Sequence, residues 1–565
     1  MTAVQAVNRN TQTFDAIVVG SGATGGWAAK ELAEAGIKVA LIEAGPMVSE
    51  ADFSEHDQPY DWKYRGSTSP KSRDLMRNRP IQGKCYAVRE GNYKWFVDDF
   101  QNPYTTPTDK PFWWIRERVV GGRSLSWGRQ SYRTGDIDFK GASRDGYGID
   151  WPIQYSDLVP YYDKVERFIG ISGLEEGLSQ LPDSIFMPPM KFSCGEALFR
   201  QRLKTKMNRV LTMGRTAILT QDHNGRAACH HCGPCEQGCI THSYYSSPFT
   251  TIQAAQATGN MTLITDAVVS RVTKDANTGL ASGVSYINRT SREEYEAKAK
   301  VVVLCASTLE STRILLNSEP GGMANSSGTL GHYLMDHIYQ GGASGKLPEL
   351  AAKPWQGMPQ RPTGIYIPRF RNIDRTHTNG MIRGYGFQGR SGANFAMTAS
   401  GFGATYKKAV HDQAEWSTGI TAWCESLPRY ENHVQLHPTK KDAWGIPILD
   451  IDMEWSSNEL ALWKDAREQA AEMLEATGHK DVQLTGEVSV PGFCIHEVGT
   501  ARMSEDPKKG VLNGFAQAHD IKNLFVTDGA AWTSIACQNP TLTMMAITAR
   551  TCDFIQDQLK KGGLA

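Results

Sequence analysis

The 565-residue sequence has no uninterrupted apolar run long enough to cross a bilayer, so no transmembrane segment is predicted. It has no excess of either charge, because Lys+Arg and Asp+Glu both number 60. No basic patch or long charge run is present, which argues against a nucleic-acid partner. Residues 1–13 lack the basic, apolar and cleavage regions of a secretory signal. Taken alone, the sequence predicts a cytoplasmic protein.

The sequence also lacks the cysteine framework that holds small secreted proteins together. Four of its eleven cysteines are clustered, and the other seven are expected to be buried thiols. The scattered cysteines are Cys85, Cys194, Cys305, Cys424, Cys494, Cys537 and Cys552. The length exceeds what one hydrophobic core usually supports, so two or three domains are expected.

Residues 14–45 have the pattern of a strand–turn–helix–strand unit. The apolar run 16–19 predicts a buried parallel strand, residues 27–35 predict a helix, and residues 38–42 predict a second strand that ends before Glu43. The order of these elements within about thirty residues favours a dinucleotide-binding unit over the alternative, a plain glycine-rich turn.

Three glycines follow the first strand in the order Gly20-x-Gly22-x-x-Gly25. Gly20 would allow a tight turn, Gly22 would let the backbone approach a pyrophosphate, and Gly25 would let helix and strand pack closely. The helix N-terminus would bind the phosphates. Glu43 would accept hydrogen bonds from a ribose hydroxyl, and its charge disfavours the 2′-phosphate of NADP. The position of the motif fits a built-in FAD at least as well as an exchangeable NAD.

The rest of the chain predicts further sheet and helix. Residues 301–306 predict another buried parallel strand, and residues 113–120 predict a strand that leads into a turn at Gly121-Gly122. Alternating apolar and polar residues predict an antiparallel sheet with one face free to cover a ligand, and they lie at 364–370, 419–427 and 432–438. Helices are predicted at 155–170, 196–210, 248–257, 307–317 and 457–476.

Three segments near the C-terminal end carry candidate catalytic residues. They read HEVGTARM (496–503), NLFVTDGA (523–530) and QNPTLTMM (538–545). Taken singly, a histidine or an asparagine is more often structural than catalytic. In this order, and together with the glycine motif and the Gly121-Gly122 turn, the segments resemble the glucose–methanol–choline (GMC) family of flavoprotein oxidoreductases over the whole chain.

The resemblance implies that a hydride leaves an alcohol carbon for N5 of FAD as the alcohol proton is removed. His496 matches the base that takes the proton, and Asn539 matches the residue that hydrogen-bonds the substrate oxygen. Asp528 and Gly529 match positions beside the ribityl and phosphate groups. Further FAD contacts are implied for Gly121, Gly122, Ser124, Trp127, Gly128, Val268 and Thr541. Because residues 124–127 contain no histidine, we expect FAD to be bound non-covalently.

The resemblance also implies an α/β fold in two parts. A Rossmann-like FAD-binding domain would comprise residues 14–140, 225–340 and 490–565. A substrate domain, with a mostly antiparallel sheet flanked by helices, would comprise residues 141–224 and 341–489. Candidate sugar contacts in that domain, for which ordinary packing is the alternative, are Trp355, Gln356, Tyr385, Gln388 and Trp423.

The clustered cysteines lie in the sequence CHHCGPCEQGC, residues 229–239. The C-x2-C-x2-C-x3-C spacing of Cys229, Cys232, Cys235 and Cys239 is typical of an iron–sulfur cluster, of either the three-iron or the four-iron type. Isoleucine follows the last cysteine, where ferredoxins usually have proline, and His230 and His231 are possible substitute ligands. A structural zinc site and a pair of disulfides are the alternatives.

Within the family, a cysteine-rich insert resembles the catalytic subunits of bacterial membrane-linked sugar dehydrogenases. This implies a dehydrogenase that oxidises a secondary or anomeric alcohol of a sugar or glycoside, of the glucoside 3-dehydrogenase or glucose/gluconate type. Electrons would pass singly to a cytochrome or another acceptor. Such subunits often pair with a small subunit that carries the export signal, which implies the periplasm, with the cytoplasm as the alternative. Two other hypotheses are an oxygen-using alcohol oxidase with a structural metal or thiol knot, and a non-catalytic FAD-binding subunit.

Overall fold

The computed structural model describes residues 8–62, 77–350, 361–374, 377–394, 401–412 and 415–564. Two candidate sugar contacts, Trp355 and Gln356, lie outside the described residues. The helices are α1 (Ala23–Glu34), α2 (Asp136–Phe139), α3 (Gly141–Asp145), α4 (Tyr155–Ile169), α5 (Cys194–Met207), α6 (Thr251–Ala257), α7 (Thr308–Ser318), α8 (Gly403–Asp412), α9 (Ser457–Ala476) and α10 (Thr541–Lys561). The predicted helices therefore form, with ends that differ by a few residues.

The strands form two large sheets and two short ribbons. Their bounds are β1 (Asn8–Val19), β2 (Val39–Ile42), β3 (Ile171–Ser172), β4 (Phe186–Met187), β5 (Thr212–Met213), β6 (Met261–Ile264), β7 (Ala267–Lys274), β8 (Ala281–Asn288), β9 (Glu294–Leu304), β10 (Ile338–Lys346), β11 (Ile365–Ile367), β12 (Tyr385–Asn394), β13 (Glu415–Cys424), β14 (His433–Lys441), β15 (Pro447–Asp452), β16 (Lys480–Thr485) and β17 (Leu524–Val526).

The first sheet is built around β1, whose last four residues, 16–19, are apolar and buried, as central parallel strands usually are. Five strands run parallel in the order β6-β2-β1-β9-β17. The first part of β9 also pairs with β8, which pairs with β7, so two antiparallel strands extend the same sheet. This Rossmann-like sheet confirms the predicted α/β fold.

Small apolar residues allow α1 to pack closely against the first sheet. Ala28 and Leu32 are fully buried in one cluster with Val303 of β9 and with Cys552 and Ile555 of α10. Helices near the two ends of the chain therefore share one core layer beside the glycine-rich loop.

The second sheet has six strands in the order β16-β10-β13-β12-β11-β5, and all of its pairs are antiparallel. Leu462, Ala466 and Met473 of α9 pack against Phe387 and Ile420 on one face. Gln388, next to Phe387 on β12, points to the opposite face and donates a hydrogen bond to Asn539. The predicted antiparallel sheet flanked by helices is confirmed.

The strand predicted over residues 113–120 does not form. The side chain of Gln82 takes the place of a partner strand, because its Nε2 donates to the carbonyl oxygen of Trp114 (3.0 Å) and its Oε1 accepts from the N–H of Arg116 (2.7 Å). Such a segment is extended and has the residue pattern of a strand, but it does not pair with another strand. The sequence pattern alone does not distinguish the two cases.

Two other sequence predictions need correction. Residues 432–438 do form a strand, but β14 pairs only with β15 in a separate ribbon that packs on Trp114 and Leu309. Six of the seven scattered cysteines are buried, as predicted, whereas Cys194 is exposed at the start of α5. In the described part of the chain, no helix is both long and apolar enough for a membrane span.

Candidate active site

A large cavity lies at the carboxyl ends of four parallel strands. Its wall includes Val19, Ile42, Ala306 and Asp528, which end or follow β1, β2, β9 and β17. Ligands of open α/β sheets bind at this edge. The cavity volume, including the space in its open mouth, is about 1740 Å³, and its wall includes both the glycine-rich loop and the pair His496 and Asn539.

The glycine-rich loop has the shape that a pyrophosphate requires. A Cβ added at Gly22 would come no nearer than 3.9 Å to another part of the protein, so it would occupy cavity space. A Cβ added at Gly25 would lie 1.7 Å from the carbonyl oxygen of Gly20, so it would push α1 away from β1. Helix α1 starts at Gly22 without a side-chain cap, which leaves its first N–H groups free for an anion.

Glu43 and Ser21 fix the loop in place. The Ser21 N–H and hydroxyl both donate to Oε2 of Glu43 (3.1 and 2.6 Å), and the Gly45 N–H donates to Oε1 (2.8 Å). The N–H of Gly121 donates to the Ser21 hydroxyl oxygen (2.9 Å), which joins the two glycine turns. Burial raises the pKa of the Glu43 carboxyl. Oε1 accepts only the Gly45 N–H among the described residues and can accept a second hydrogen bond, so a ribose hydroxyl could still bind there.

Most of the predicted FAD contacts line this one cavity. They are Gly20, Gly22, Glu43, Gly122, Ser124, Trp127, Gly128, Val268, Asp528, Gly529 and Thr541. Gly25 and Gly121 do not line it: Gly25 packs α1 on the first turn, and a Cβ at Gly121 would lie 2.4 Å from Pro248. Asp528 accepts from the Ser311 hydroxyl (2.5 Å) and the Ala530 N–H (2.9 Å), and burial raises its pKa to about 6.

His496 and Asn539 meet at the other end of the cavity. Nδ2 of Asn539 lies 3.2 Å from Nε2 of His496, and both residues line the wall. Gln388 of β12 donates from Nε2 to Oδ1 of Asn539 (2.8 Å), so the second sheet contacts the pair directly. A hydroxyl oxygen placed here could donate its proton to the imidazole and accept a hydrogen bond from the amide.

The backbone that carries His496 is held by the buried carboxyl group of Asp336, whose pKa burial raises to about 8. Oδ2 of Asp336 accepts from the N–H groups of Gly492 (2.9 Å) and Cys494 (3.3 Å), and Oδ1 accepts from the N–H of His496 (3.1 Å). Ile495 between them has a φ of 64°, a conformation that β-branched residues rarely adopt. The segment is therefore held in a strained shape that points the imidazole into the cavity.

The surroundings of His496 disfavour its cationic form. Burial, the neighbouring His337 and the positive charge of Arg123 hold the pKa of His496 well below its ordinary value of 6.5. Arg123 in turn pairs with Glu497 (2.8 Å). The imidazole is therefore neutral at neutral pH, the state that a proton acceptor needs.

Glu117 contributes a second ionisable group to the cavity wall. Burial raises the pKa of its carboxyl to about 8, so it is protonated at neutral pH. One oxygen accepts from the Ser126 hydroxyl, and Oε2 is buried without a partner in the described part of the structure. This carboxyl can donate a hydrogen bond into the cavity.

Sequence reasoning missed four residues that shape the site: Glu117, Arg123, Arg129 and His337. Arg123 follows the Gly121-Gly122 turn, so its position beside the cavity could have been inferred from that motif. The other three carry no local signal, because only the folded chain brings Glu117 to the cavity wall, Arg129 to the cysteine cluster and His337 to His496.

The four clustered cysteines surround a smaller cavity of about 350 Å³. None of the eleven cysteines is in a disulfide, and all of them lie in the described ranges. Burial is the largest cause that raises the pKa of three of the clustered thiols, and it takes that of Cys235 to about 12. Nδ1 of His231, on the same wall, is buried without a hydrogen-bond partner among the described residues.

The spacing of the sulfur atoms is wider than zinc requires. A tetrahedral site with Zn–S bonds of about 2.3 Å places its sulfurs about 3.8 Å apart. In the described ranges, no group of three or more potential ligand atoms that all lie within 4.8 Å of one another contains more than one of these four thiols.

One layer of residues separates the two cavities. Arg129 lines the large cavity, donates to the carbonyl oxygen of Cys235 (3.0 Å) and stacks on the ring of Tyr244 (3.4 Å). Tyr244 lines the small cavity and donates to the carbonyl oxygen of Trp127, which lines the large one (3.3 Å). A group in each cavity would therefore be separated by a short, packed path.

The candidate sugar contacts fall in different places. Gln388 reaches the catalytic pair, as described above. Tyr385 is fully buried, bonds to Asp465 and belongs to the core of the second sheet. Trp423 packs against Tyr339 with ring centroids 5.4 Å apart, on the part of the sheet near Cys494.

Comparisons with known proteins agree with this architecture. The sequence matches the family models of GMC oxidoreductases over residues 14–339 and 428–548. A 2-methyl-1,2-propanediol dehydrogenase of Mycolicibacterium austroafricanum is 30% identical over 96% of this chain and 95% of its own length. The large subunit of a fructose dehydrogenase of Gluconobacter japonicus is 26% identical over 98% of this chain and 100% of its own length.

A solved structure gives the same result for the fold. Pyridoxine 4-oxidase from Mesorbium loti has a TM-score of 0.60 at 16% identity, over 96% of this chain and 99% of its own. The identity is low, so this likeness shows the fold alone. With both family models matched across most of its length, and one cavity lined by the glycine-rich loop, His496 and Asn539, this chain belongs to the GMC oxidoreductase family of FAD-dependent enzymes that act on CH–OH groups.

Proposed function

We propose that this protein is a dehydrogenase that oxidises a secondary or anomeric alcohol of a sugar or glycoside and passes the electrons through an iron–sulfur cluster to a separate acceptor. The observation that carries the proposal is the second cavity, in which four cysteines lie one residue layer away from the FAD cavity. An enzyme that gives both electrons directly to oxygen has no use for a one-electron centre in this place.

The residues around the large cavity fit FAD. The open space at Gly22 and the uncapped start of α1 suit the pyrophosphate, and Glu43 suits the ribose. When bound, FAD supplies the hydride acceptor of the reaction. The lining residues include no histidine next to Ser124 and Trp127, which supports non-covalent binding.

The protein residues themselves remove the proton of the substrate hydroxyl and orient the substrate. Nε2 of His496 takes the proton of the substrate hydroxyl, and the amide of Asn539 holds the hydroxyl oxygen. The neutral imidazole, with its depressed pKa, is ready to accept that proton at neutral pH. Protonated Glu117 and the pair of Arg123 with Glu497 supply fixed dipoles and charge beside the same space.

The residues around the small cavity fit an iron–sulfur cluster. The ligands would be Cys229, Cys232, Cys235 and Cys239, and the unpartnered Nδ1 of His231 offers a further contact. When present, the cluster supplies a path for single electrons. Buried Arg129 lies beside Cys235 and would balance part of the negative charge of the thiolates.

The proposed substrate class rests on the names of the relatives and on the amide of Gln388 beside the catalytic pair. One relative is named for a diol and another for fructose, so the shared chemistry is an alcohol with a neighbouring oxygen substituent. Gln388 places an amide beside the catalytic pair, where a second substrate hydroxyl could bond. The fructose enzyme is named as a large subunit, and we extend this to a small export subunit, a cytochrome or similar acceptor, and the periplasm for the present chain.

The test is metal, sulfide and flavin analysis of protein purified without oxygen, with an EPR spectrum before and after addition of sugars. Three or four irons for each flavin are expected, with a signal that changes as substrate bleaches the flavin. Cys235→Ser should lose the iron, whereas the matched control Cys194→Ser, at an exposed cysteine outside the cluster, should keep it.

The alternative is an oxygen-using alcohol oxidase with a structural metal or thiol knot. Zinc or no metal, together with peroxide formed in air at the rate of substrate oxidation, would replace the dehydrogenase proposal with this one. A flavin that no alcohol or sugar bleaches, in protein with full FAD content, would contradict both.

A further inference from the structure

His337 lies directly behind the proposed base. Its Nδ1 is 2.9 Å from Nδ1 of His496, and its Nε2 is 2.6 Å from the carbonyl oxygen of Ala536. The side chain is fully buried, just before β10. A histidine with both ring nitrogens in hydrogen bonds has its tautomer set by its partners.

The partners leave one arrangement of hydrogens. The carbonyl oxygen of Ala536 can only accept, so Nε2 of His337 carries a hydrogen. Burial lowers the pKa of His337 to about 4, so the ring is neutral at neutral pH and its Nδ1 carries none. That nitrogen can only accept. Nδ1 of His496 must therefore carry the hydrogen between the two rings, which leaves Nε2 of the neutral His496 bare.

The other side of His496 agrees with this direction. Nε2 of Gln388 donates to Oδ1 of Asn539, so the Nδ2 group of Asn539 faces Nε2 of His496 as a donor. The bare Nε2 is the acceptor that this contact requires. Donors and acceptors thus run in one direction through Gln388, Asn539, His496, His337 and Ala536, with no conflict at any member.

Building on the proposed role of His496 as the base, we infer that His337 is a positioning residue that holds His496 in its Nδ1–H tautomer and so keeps Nε2 free for the substrate proton. When that proton moves from the substrate hydroxyl to Nε2, the His496 ring becomes cationic. Its Nδ1–H group still has His337 Nδ1 as its hydrogen-bond acceptor, so the ring keeps its orientation during the proton transfer.

The nearby thiol does not replace this contact. Sγ of Cys494 lies 3.3 Å from Nδ1 of His496, but a sulfur is a weak acceptor. Without His337, the Nδ1–H group would have only this partner. The imidazole could then place its hydrogen on Nε2, where it faces the substrate and cannot take a proton.

The first measurement is the tautomer of His496 in wild-type holoenzyme labelled with ¹⁵N-histidine. Long-range ¹H–¹⁵N spectra separate protonated from bare ring nitrogens, and His496→Gln identifies the signal. A protonated Nδ1 and a bare Nε2 are expected for His496, with the reverse for His337. A protonated Nε2 on neutral His496 would overturn the inference.

The second measurement is the rate of anaerobic flavin reduction by substrate in two variants. His337→Leu removes the acceptor and should lower the rate about 10–100-fold with FAD content unchanged. His337→Asn keeps an oxygen near the position of Nδ1 and should recover most of that loss while His496 keeps its tautomer. Equal losses in the two variants, with an unchanged tautomer in both, would indicate a merely structural role and overturn the inference.

These readouts separate the inference from the proposed function. The tautomer is measured without substrate, so it is decided even if no sugar reduces the flavin. If wild-type protein reduces its flavin with a sugar and His496 has the opposite tautomer, the inference fails while the proposed function stands.

Discussion

At the scale of single residues, His496 depends on groups that are distant in the sequence. Asp336 holds its backbone, His337 contacts one ring nitrogen and Asn539 contacts the other. These contacts fix a neutral imidazole at the end of the cavity. Replacing His337 or Asn539 should therefore change the chemistry more than the stability of the fold, whereas loss of Asp336 would also leave buried N–H groups unpaired.

Removal of the base should stop proton transfer while the cofactor stays bound. We expect His496→Gln to slow flavin reduction about 10²–10⁴-fold, because glutamine can hydrogen-bond the substrate but cannot accept its proton. Stopped-flow absorbance under anaerobic conditions measures the rate. His377→Gln, at an exposed histidine, is the matched control and should behave as wild type. A loss below threefold in His496→Gln would contradict the assigned role.

The pH dependence should also reflect the buried imidazole. A base must be unprotonated to act, and the pKa of His496 is depressed, so protonation switches the enzyme off only at acid pH. We expect kcat/KM to stay flat as pH falls through 6.5 and to decline well below it. A decline centred at 6.5 or above, with the fold intact by circular dichroism, would show that the base lies in a solvated setting.

The sequence identifies some of these residues and not others for a physical reason. His496 and Asn539 lie in segments whose residue order is itself distinctive. His337 lies in the run Leu334-Met335-Asp336-His337, where a histidine has no property that separates it from an ordinary buried one. Its importance comes from the contact with residue 496, and a contact over such a separation is a product of the fold.

At the scale of elements, two glycines of the β1–α1 turn have different tasks: one allows close packing, and the other leaves space for the cofactor. Gly25 is needed for packing, because its Cβ would overlap the Gly20 carbonyl, whereas Gly22 faces open cavity. We expect Gly25→Ala to lower the melting temperature by several degrees or to prevent folding. Gly22→Ala should keep the melting temperature of the cofactor-free protein and lose affinity for FAD.

Thermal unfolding of stripped protein and FAD titration by flavin fluorescence measure the two effects. Gly419→Ala is a suitable control, because a Cβ there has open space around it. If Gly22→Ala bound FAD as tightly as wild type, the pyrophosphate would have to lie elsewhere in the cavity.

Strands and helices could be predicted where the local residue pattern determines them. The prediction failed where the structure depends on which distant segment supplies the hydrogen bonds. The alternation in residues 432–438 predicts a strand correctly, but pairing with β15 and packing on Trp114 place it outside the larger sheet. Residues 113–120 have strand composition, yet the Gln82 side chain and several separate loop residues bond to their backbone in place of a partner strand. Side-chain periodicity reports which face is buried and says nothing about which neighbour supplies the hydrogen bonds.

At the scale of the whole molecule, the FAD cavity joins distant parts of the chain. Its wall combines the turn after β1, the strand ends of the first sheet and the start of α10. We therefore expect removal of FAD to lower the melting temperature of the whole protein. Added FAD should restore the melting temperature in a concentration-dependent way. At an FAD concentration of 100 times Kd, the free energy of unfolding should rise by about 2.7 kcal/mol. Differential scanning fluorimetry measures the shift, and identical melting of the stripped and loaded forms would contradict the expectation.

The packing of α1 against α10 also has a consequence for biosynthesis. The ribosome makes the pyrophosphate loop early, but the residues of α10 that complete the cavity emerge only after more than five hundred further peptide bonds. At roughly 5–20 residues per second, that delay is on the order of a minute. We therefore expect the chain to bind its flavin only after α10 has emerged, and a chain that ends before α10 to be colourless as well as inactive.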